Sequence, residues 1–499
     1  MQLRVLFAAA LLVSAPAVAS QDMLVTVDVP GGQIVGHAAA ETYVSVFRGI
    51  PYAAPPTGEL RWRPPQAVVA WQGVRDATAV APACLQHLES SEWNRAQWLH
   101  ASEDCLTLDV KTSSLTGKRP VMVWIHGGSN RAGASGGPAD SDLTAQGVVA
   151  VSVQYRLGAL GWLSHPALSA EQGGSSGNYG LMDQIAALQW VHDNIAKFGG
   201  DPDNVTIYGE SAGSQDVSLL LAAPAAQGLF HKAIMESGTP GFGLPFRSLA
   251  DAEAMGKQFS DKAGTGNSLE QMRALSPVAI FAIEDELQDP PNGNAMIFLH
   301  TTVDGKVLPA APDKLIAANK PKPVILGTNK VEFSNEQFDE ANLPPYAKAM
   351  FGEHGAAALE LYRIEKADPR RGKIATRIIS DALFHCPTDH LADLLAENDY
   401  PTWRYQFDVG PNGGLTSHAF EIGWVFERKP VGGGVNMQDY WAALAVAGDP
   451  NGKTAISTAR PKWERWTVAK PQQIEFGETA TAMAPGKPRK DFCDLTEAY

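Results

Sequence analysis

The sequence predicts an α/β fold in which a mainly parallel central sheet carries helices on both faces. Two apolar runs, 121–125 and 148–153, do not alternate with polar residues, which is typical of strands buried on both faces. Before residue 205, apolar residues recur at the spacing of an amphipathic helix: Leu181, Ile185, Leu188, Val191 and Ile195. The order strand, helix, strand, helix therefore indicates a wound sheet.

The other segments extend this pattern toward both ends of the chain. Residues 24–32 alternate in polarity and then turn at Pro-Gly-Gly, which predicts a hairpin. The proline-rich stretch 55–65 predicts an irregular arm, and its tryptophan favours order over disorder. The short apolar run 324–326 and the later stretch 403–407 predict further strands, and the composition of 241–294 predicts a mostly helical cap insertion.

The stretch 205–213 predicts a buried strand that runs into a Gly-x-Ser-x-Gly turn and then a helix. The two glycines allow a tight backbone that lifts the Ser211 hydroxyl above the end of the sheet. The same pattern surrounds Ser135 and Ser175, but each of these lies in a glycine-rich run that predicts a flexible loop, with no apolar strand directly before it. The context therefore makes Ser211 the candidate nucleophile.

The first 19 residues have the pattern of a secretory signal peptide. A single positive charge at Arg4 precedes the apolar run 5–13, and an Ala-x-Ala site ends at Ala19. An uncleaved membrane anchor is the alternative, but the run is shorter than the roughly 20 residues that span a bilayer, and no later segment reaches that length. We expect a mature chain, 20–499, that is secreted or periplasmic.

Composition limits the number of domains and the kinds of partner. The 499 residues are 44% hydrophobic and 19% charged, and they contain no linker or internal repeat. This predicts one large domain over 20–499. The formal net charge of −14 becomes −15 once Arg4 leaves with the signal peptide. Because nucleic acid is itself negatively charged, we do not expect it to be a partner. Nothing in the sequence predicts the oligomeric state.

Four cysteines, an even number, suit the disulfide-permissive compartment that a signal peptide implies: Cys84, Cys105, Cys386 and Cys493. Three pairings are possible on the number alone. The chain has neither a Cys-x-x-Cys nor a His-Glu-x-x-His pattern, so we expect no zinc site and no other metal or cofactor.

A serine nucleophile needs a general base, and the base needs an orienting acid. In chain order the serine comes first, then the acid, then the histidine. This restricts the base to His231, His300, His354, His385, His390 or His418. His231, His385 and His390 lie in Ala- and Leu-rich segments predicted to be helical, whereas His418 lies in a Gly/Asn/Ser loop after a strand. We therefore predict that His418 is the base.

Three carboxylates compete for the role of the acid: Asp304, Asp408 and Glu332. Glu332 follows the strand that we expect next but one from the strand of the nucleophile. Both Glu332 and His418 come after the C-terminal ends of predicted strands, the edge where wound sheets place their sites. We therefore predict Glu332 as the acid.

The residues 126–128, His-Gly-Gly, directly follow the apolar strand 121–125. They resemble the loop that forms the oxyanion hole of esterases, in which backbone N–H groups stabilise the charge that develops on a carbonyl oxygen. The alternative is a glycine turn without a chemical role.

Seven stretches together resemble the type-B carboxylesterase family, the α/β-hydrolases that include cholinesterases and bacterial para-nitrobenzyl esterases. The resemblance covers essentially the whole mature chain. The stretches are 47–52, 103–106, 124–128, 177–183, 198–202, 209–213 and 448–451.

The resemblance implies an α/β-hydrolase fold and an exported serine esterase that cleaves small-molecule carboxylic esters through an acyl-enzyme. It places the nucleophile, acid and base at Ser211, Glu332 and His418, in agreement with the residues chosen above. It implies an oxyanion hole among Gly127, Gly128, Ser129 and Ala212. It also implies disulfides between Cys84 and Cys105 and between Cys386 and Cys493.

The chain departs from the family pattern near the predicted site. Ser129 replaces the usual third glycine and Asn130 a usual aromatic residue, and Phe333 follows Glu332 where the family commonly has glycine. Trp93 and Trp98 lie between the first two cysteines, where cholinesterases carry an aromatic residue for a cationic substrate. We expect these tryptophans to be packing or hydrophobic-pocket residues instead.

Two alternatives stay open at this point. The first is a catalytically silent binding protein, since relatives on this fold have lost the triad; retention of all three residues argues against it. The second is a hydrolase of an amide or a lactone, which the sequence does not distinguish from an esterase.

Overall fold

The computed structural model describes residues 23–86, 100–289, 297–333, 342–366 and 368–496. The predicted signal peptide, 1–19, lies outside these residues, as do Trp93 and Trp98. Within the described ranges, none of the helices combines the length and the apolar character needed to cross a membrane.

Seventeen strands are present in the described residues. They are β1 (Met23–Val29), β2 (Gly32–Ala38), β3 (Ser45–Pro51), β4 (Val74–Asp76), β5 (Thr107–Thr112), β6 (Arg119–Ile125), β7 (Val149–Val153), β8 (Gly200–Glu210), β9 (Lys232–Glu236), β10 (Arg247–Ser248), β11 (Thr302–Val303), β12 (Val324–Asn329), β13 (Thr402–Asp408), β14 (Pro430–Val431), β15 (Val435–Asn436), β16 (Gln472–Gly477) and β17 (Thr481–Pro485).

Thirteen of these strands form one sheet, in the order β1-β2-β3-β5-β7-β6-β8-β9-β12-β13-β16-β17, with β4 beside β2. All neighbours from β7 to β16 are parallel, whereas the pairs at both edges are antiparallel except for the parallel pair of β2 with β4. The prediction of a mainly parallel central sheet is therefore confirmed. The strand β12 lies next but one to β8, as expected.

The α-helices between and after these strands are α1 (Gly158–Trp162), α2 (Pro166–Glu171), α3 (Tyr179–Asn194), α4 (Ala212–Ala222), α5 (Leu249–Ala263), α6 (Leu269–Arg273), α7 (Pro277–Asp285), α8 (Pro312–Ala318), α9 (Leu343–Phe351), α10 (Gly355–Ile364), α11 (Ile374–Ser380), α12 (Cys386–Glu397), α13 (Ile422–Phe426), α14 (Met437–Ala447) and α15 (Lys490–Cys493). A π-helical turn, Asp381–His385, joins α11 to α12.

The central strands are buried on both faces, as their continuous apolar runs predict. On β6, Val121 and Val123 pack into one core with residues of α3 and α4, whereas Met122 and Trp124 pack into a second core with residues of α14. Successive side chains of a strand point to opposite faces, so an uninterrupted apolar run supplies both cores. Helices therefore cover both faces of the sheet.

The predicted peripheral segments are also observed. The strands β1 and β2 form the expected hairpin. In the proline-rich arm, Trp62 is fully buried and its indole N–H donates to the Ala159 carbonyl at 2.8 Å, so the arm is ordered. The cap prediction is confirmed for the described residues 241–289, because α5, α6 and α7 all lie within them.

The structure contains both disulfides that the family resemblance implies. Cys84 pairs with Cys105, and Cys386 pairs with Cys493. The second disulfide closes a sequence separation of 107 residues and ties α15 to the start of α12, whereas the first closes a separation of 21 residues. The Cys386–Cys493 disulfide therefore restricts the unfolded chain more strongly than the Cys84–Cys105 disulfide.

We predict that replacing Cys386 and Cys493 with alanine lowers the free energy of unfolding by about 4 to 5 kcal/mol, against about 3 kcal/mol for the Cys84 and Cys105 pair. The difference arises because a longer closed loop removes more chain entropy from the unfolded state. Urea titration of both double variants measures it. A larger loss in the Cys84/Cys105 variant, or a peptide map without reductant that links Cys386 to Cys84, would contradict this account.

Candidate active site

Ser211 lies in a strained turn between β8 and α4. Its backbone has φ +57° and ψ −124°, a conformation that L-residues rarely adopt and that persists only when surrounding contacts hold it. The N–H of Ser211 donates to the Glu236 carbonyl at 2.8 Å. A Cβ on Gly213 would lie 2.1 Å from the carbonyl oxygen of Ile125. Only glycine fits at that position, so β6 and the start of α4 can approach closely.

His418 bridges Ser211 and Glu332 through its two ring nitrogens. Its Nε2 lies 2.7 Å from Ser211 Oγ, and its Nδ1 lies 2.7 Å from Glu332 Oε2. The His418 backbone N–H also donates to the Glu332 carbonyl at 2.5 Å, which couples the two loops. The structure therefore brings together the three residues predicted as nucleophile, base and acid.

Glu332 follows β12 and is fully buried. Its Oε1 accepts hydrogen bonds from the backbone N–H of Asn329 and from Ser237 Oγ, both at 2.8 Å. The oxygen Oε2 is thereby left to His418. These bonds fix the carboxylate relative to the ring, and a carboxylate that accepts from Nδ1 holds the imidazole in the tautomer whose Nε2 can take a proton.

The competing carboxylates lie elsewhere. Asp304 accepts hydrogen bonds from the backbone N–H groups of Lys306 and Leu308, and it shapes a turn. Asp408 pairs with Lys330 and Arg370. Neither Asp304 nor Asp408 has a hydrogen bond or an ion pair to His418.

The other candidate histidines also have separate roles. The helical prediction holds for His390, in α12, and for His385, in the π-helical turn. It is wrong for His231, which directly precedes β9. The His231 ring Nδ1 accepts from the N–H of Val205 at 3.1 Å, a contact with the neighbouring strand that local composition does not reveal.

The two remaining candidate histidines are His300 and His354. His300 pairs with Asp289, and His354 is exposed at the end of a short 3₁₀ turn.

The two other serines in Gly-x-Ser-x-Gly patterns lie in irregular segments, as expected, but both are buried. Ser135 Oγ donates to Asp109 at 3.2 Å, and Ser175 Oγ donates to Asp304 at 3.3 Å. Neither hydroxyl has a hydrogen bond to a histidine.

The His-Gly-Gly loop after β6 lies directly against the turn at Ser211. A Cβ on Gly127 would be 2.5 Å from the carbonyl oxygen of Glu210 and 3.1 Å from Ser211 Cβ. The His126 ring stacks on Tyr155 at a centroid distance of 4.4 Å, and burial lowers the pKa of His126 to about 4. His126 is therefore neutral at pH 7, and it packs at the base of the loop.

Two carboxylates near His418 were not predicted from the sequence, although both lie inside its motifs. Glu210 precedes Ser211, and its Oε1 lies 3.2 Å from His418 Nε2. The hydrogen-bonding direction of Nε2 is toward Ser211 Oγ, so the contact with Glu210 is electrostatic. Glu421 is buried three residues after His418, and its Oε2 accepts from Asn329 Nδ2 at 2.5 Å. A charged residue inside each motif was the available signal: Glu210 at the end of β8, and Glu421 directly before α13.

The pKa values of Glu210, Glu421 and His418 are all shifted upward. Burial raises the pKa of Glu210 to about 8 and that of Glu421 to about 7, with further contributions from the repulsion between neighbouring carboxylates. Burial alone would lower the pKa of His418, but Glu210, Glu332 and Glu421 outweigh it and raise that pKa to about 9. The carboxylate charge around the ring therefore shifts the pKa of His418 upward.

Two phenylalanines flank the His418 ring. The Phe333 centroid lies 4.9 Å from that of the imidazole, and the Phe384 centroid lies 5.0 Å from it. Phe384 belongs to an apolar cluster that includes Ala212, the residue after Ser211. Phe333, which occupies a position where the family commonly has glycine, thus packs beside the His418 ring.

Donor groups for a metal are scattered in the described ranges. No cluster of three or more His, Cys, Asp or Glu side chains within them could hold a metal ion.

Comparison with known proteins places this geometry in a family. The model of the carboxylesterase family matches residues 23–495. The chain is 34% identical to a fumonisin B1 esterase of Sphingopyxis macrogoltabida, over 85% of this chain and 82% of the relative. It is 35% identical to the para-nitrobenzyl esterase of Bacillus subtilis (strain 168), over 79% and 81% of the two chains.

Solved structures agree with these matches. A PNB esterase superposes with a TM-score of 0.78 at 31% identity, covering 95% of this chain and 99% of the other. A Geobacillus stearothermophilus carboxylesterase superposes with a TM-score of 0.79 at 30% identity, covering 95% of this chain and all of the other. The chain therefore belongs to the carboxylesterase family of α/β-hydrolases and is a carboxylic-ester hydrolase.

Proposed function

We propose that this protein is an exported serine esterase that cleaves small-molecule carboxylic esters through an acyl-enzyme on Ser211. The observation that carries the proposal is the unbroken hydrogen-bonded chain from Ser211 Oγ through His418 to Glu332, with 2.7 Å at each step. The esterase names of its relatives support the same chemistry.

In the first half of the reaction, Ser211 Oγ attacks the ester carbonyl carbon while His418 Nε2 takes the hydroxyl proton. The carbonyl oxygen becomes an alkoxide, which N–H groups of the loop Gly127, Gly128 and Ser129 and of Ala212 stabilise. As the first residue of α4, Ala212 has a backbone N–H without an intrahelical acceptor. Collapse of the intermediate expels the alcohol, which receives its proton from His418.

In the second half, water attacks the acyl carbon and His418 takes a proton from it. The same N–H groups stabilise the second alkoxide, and its collapse releases the carboxylic acid and returns the proton to Ser211. The sum is ester plus water to acid plus alcohol. Glu332 keeps the ring oriented and stabilises the imidazolium in both halves.

We further propose that residues 20–499 form one exported catalytic domain after removal of the signal peptide 1–19. One sheet contains strands from β1 to β17, which supports a single domain. Two disulfides support an oxidising compartment.

We predict that Ser211→Ala lowers kcat for a para-nitrophenyl ester by at least about a thousandfold, because the nucleophile is lost while oxyanion stabilisation and binding stay. Near-UV circular dichroism should stay native, since only one hydroxyl is removed. The matched controls are Ser135→Ala and Ser175→Ala, which change the same motif elsewhere. Turnover retained in Ser211→Ala but lost in a control would show that another serine is the nucleophile.

We predict that the acid limb of the kcat/KM profile lies above pH 6.5, the ordinary pKa of histidine. His418 acts as a base only when neutral, and the surrounding carboxylates raise its pKa, so activity should continue to increase with pH beyond neutrality. Stopped-flow or steady-state rates between pH 5 and 10 on a short-chain ester measure the limb.

The variant Glu210→Gln isolates the electrostatic cause. It replaces the carboxyl group that lies 3.2 Å from His418 Nε2 with a neutral amide of similar shape, so the His418 pKa should fall and the limb should shift to lower pH. The plateau rate should also fall, because the imidazolium of the transition state loses a favourable neighbour. A wild-type limb at or below pH 6.5, or a limb that Glu210→Gln leaves in place, would contradict this electrostatic assignment.

A further inference from the structure

Three consecutive residues of the loop after β6 have positive φ angles: +114° at Gly128, +58° at Ser129 and +55° at Asn130. Glycine tolerates this region of backbone space, but serine and asparagine adopt it only at a cost in free energy. The proposed oxyanion hole uses this loop, so its shape must be held by contacts elsewhere.

Asn130 supplies these contacts from a buried position, with 1% of its surface exposed. Its side-chain Nδ2 lies 3.4 Å from Asp216 Oδ1 and 3.3 Å from the carbonyl oxygen of Phe298. Its Oδ1 lies 3.5 Å from the Tyr155 hydroxyl, and its backbone carbonyl accepts from the N–H of Gly158 at 2.6 Å. Asn130 therefore makes polar contacts with several separate elements around the loop.

Asp216 stands on α4, the helix that begins directly after Ser211. One of its oxygens faces Asn130, and the other accepts from Gln184 Nε2 of α3 at 2.5 Å. The loop with Gly128 and Ser129 is thus joined to the helix that begins with Ala212, the other contributor to the proposed oxyanion hole.

The carboxyl group of Asp216 is fully buried, and burial raises its pKa to about 7 in spite of the two amide donors. Burying a carboxyl group in this way is unfavourable unless its hydrogen bonds are satisfied. An ionised carboxylate accepts from both amides, whereas an asparagine at this position would offer an oxygen to one amide and an N–H to the other.

We propose that Asp216 is a positioning residue for the oxyanion hole, and that it acts through Asn130 to hold Gly128 and Ser129 in their left-handed conformations opposite Ala212. The inference rests on the proposed function. The family pattern has an aromatic residue at the position of Asn130. In this chain, Asn130 instead makes a polar contact with Asp216 of α4.

The test measures oxyanion stabilisation separately from substrate binding. An aryl trifluoromethyl ketone adds Ser211 Oγ to its carbonyl carbon, and the resulting hemiketal alkoxide occupies the oxyanion hole. The corresponding trifluoromethyl carbinol has no carbonyl group, so it reports only the fit of the pocket. The ratio of the two inhibition constants is the readout, together with kcat and KM for a short-chain para-nitrophenyl ester.

We expect Asp216→Asn to weaken the ketone and to lower kcat by about ten- to a hundredfold, with KM and the carbinol constant within about twofold of the wild type. Adding Asn130→Gly to Asp216→Asn should cause no further loss, because both changes break the same contact. A ketone-to-carbinol ratio that stays at the wild-type value would overturn the inference.

Asp439→Asn is the matched control, because Asp439 is a buried carboxylate on a helix that accepts from Gln146 and from the N–H of Thr458, both at 2.8 Å. It should lower stability without changing the ratio. If Asp216→Asn does not fold, Asn130→Gly carries the test, since glycine accepts positive φ while removing the side-chain contact. A wild-type ratio in folded Asn130→Gly would then refute the inference.

Failure of the proposed function would give a different result. An active Ser211→Ala enzyme would remove the acyl-enzyme itself. An inactive Ser211→Ala enzyme together with an unchanged ratio in the Asp216 and Asn130 variants would remove only the positioning role.

Discussion

The close backbone contact between the Ser211 turn and the end of β6 is the constraint on which the rest of the site depends. Gly213 lies so near the Ile125 carbonyl that any side chain would collide with it, and a side chain on Gly127 would likewise collide with the carbonyl of Glu210. Backbone atoms cannot move aside as a flexible side chain can. Ser211, the start of α4 and the loop after β6 therefore share one geometry, which the parallel pairing of β6 with β8 holds in place.

Electrostatics divides this site into two sides. On one side, the carboxylates of Glu210, Glu332 and Glu421 surround a single imidazole and favour its protonated form. On the other side, a loop and a helix N-terminus offer backbone N–H groups, which favour negative charge. In the proposed mechanism, proton transfer from Ser211 to His418 separates charge in the direction that both sides stabilise. The buried carboxylates would thus favour the charge distribution of the transition state, although they make the resting imidazole harder to deprotonate.

The sequence was sufficient wherever local pattern and chain order carry the information. Apolar runs located the central strands, and motifs and the order of strands pointed to Ser211, Glu332 and His418, whose side chains the fold brings into contact. The environment of His231 was predicted wrongly, because its composition resembles a helix while its position is set by pairing with β8. The sequence shows Glu210 and Glu421 inside two motifs that are 211 positions apart. Only the fold brings these two carboxyl groups close to each other. Asp216 gave no signal at all, since its partner Asn130 lies on a different element.

The departures from the family pattern fall on the loops around the strained turn and not on the turn itself. Phe333 adds a ring beside His418, and Asn130 makes polar contacts at a position where the family pattern has an aromatic residue. Phe333 lies beside His418, and Asn130 follows Gly128 and Ser129 in the loop after β6. The strained turn and the neighbouring strands already fix the positions of these groups. A change in such a loop alters how the base is shielded or how the N–H groups are held, while the distances between Ser211, His418 and Glu332 stay compatible with proton transfer. The proposed chemistry therefore depends on Ser211, His418 and Glu332, whereas loop residues such as Phe333 and Asn130 modify their surroundings. Substitutions in these loops can change the properties of the site while its three central residues keep their positions.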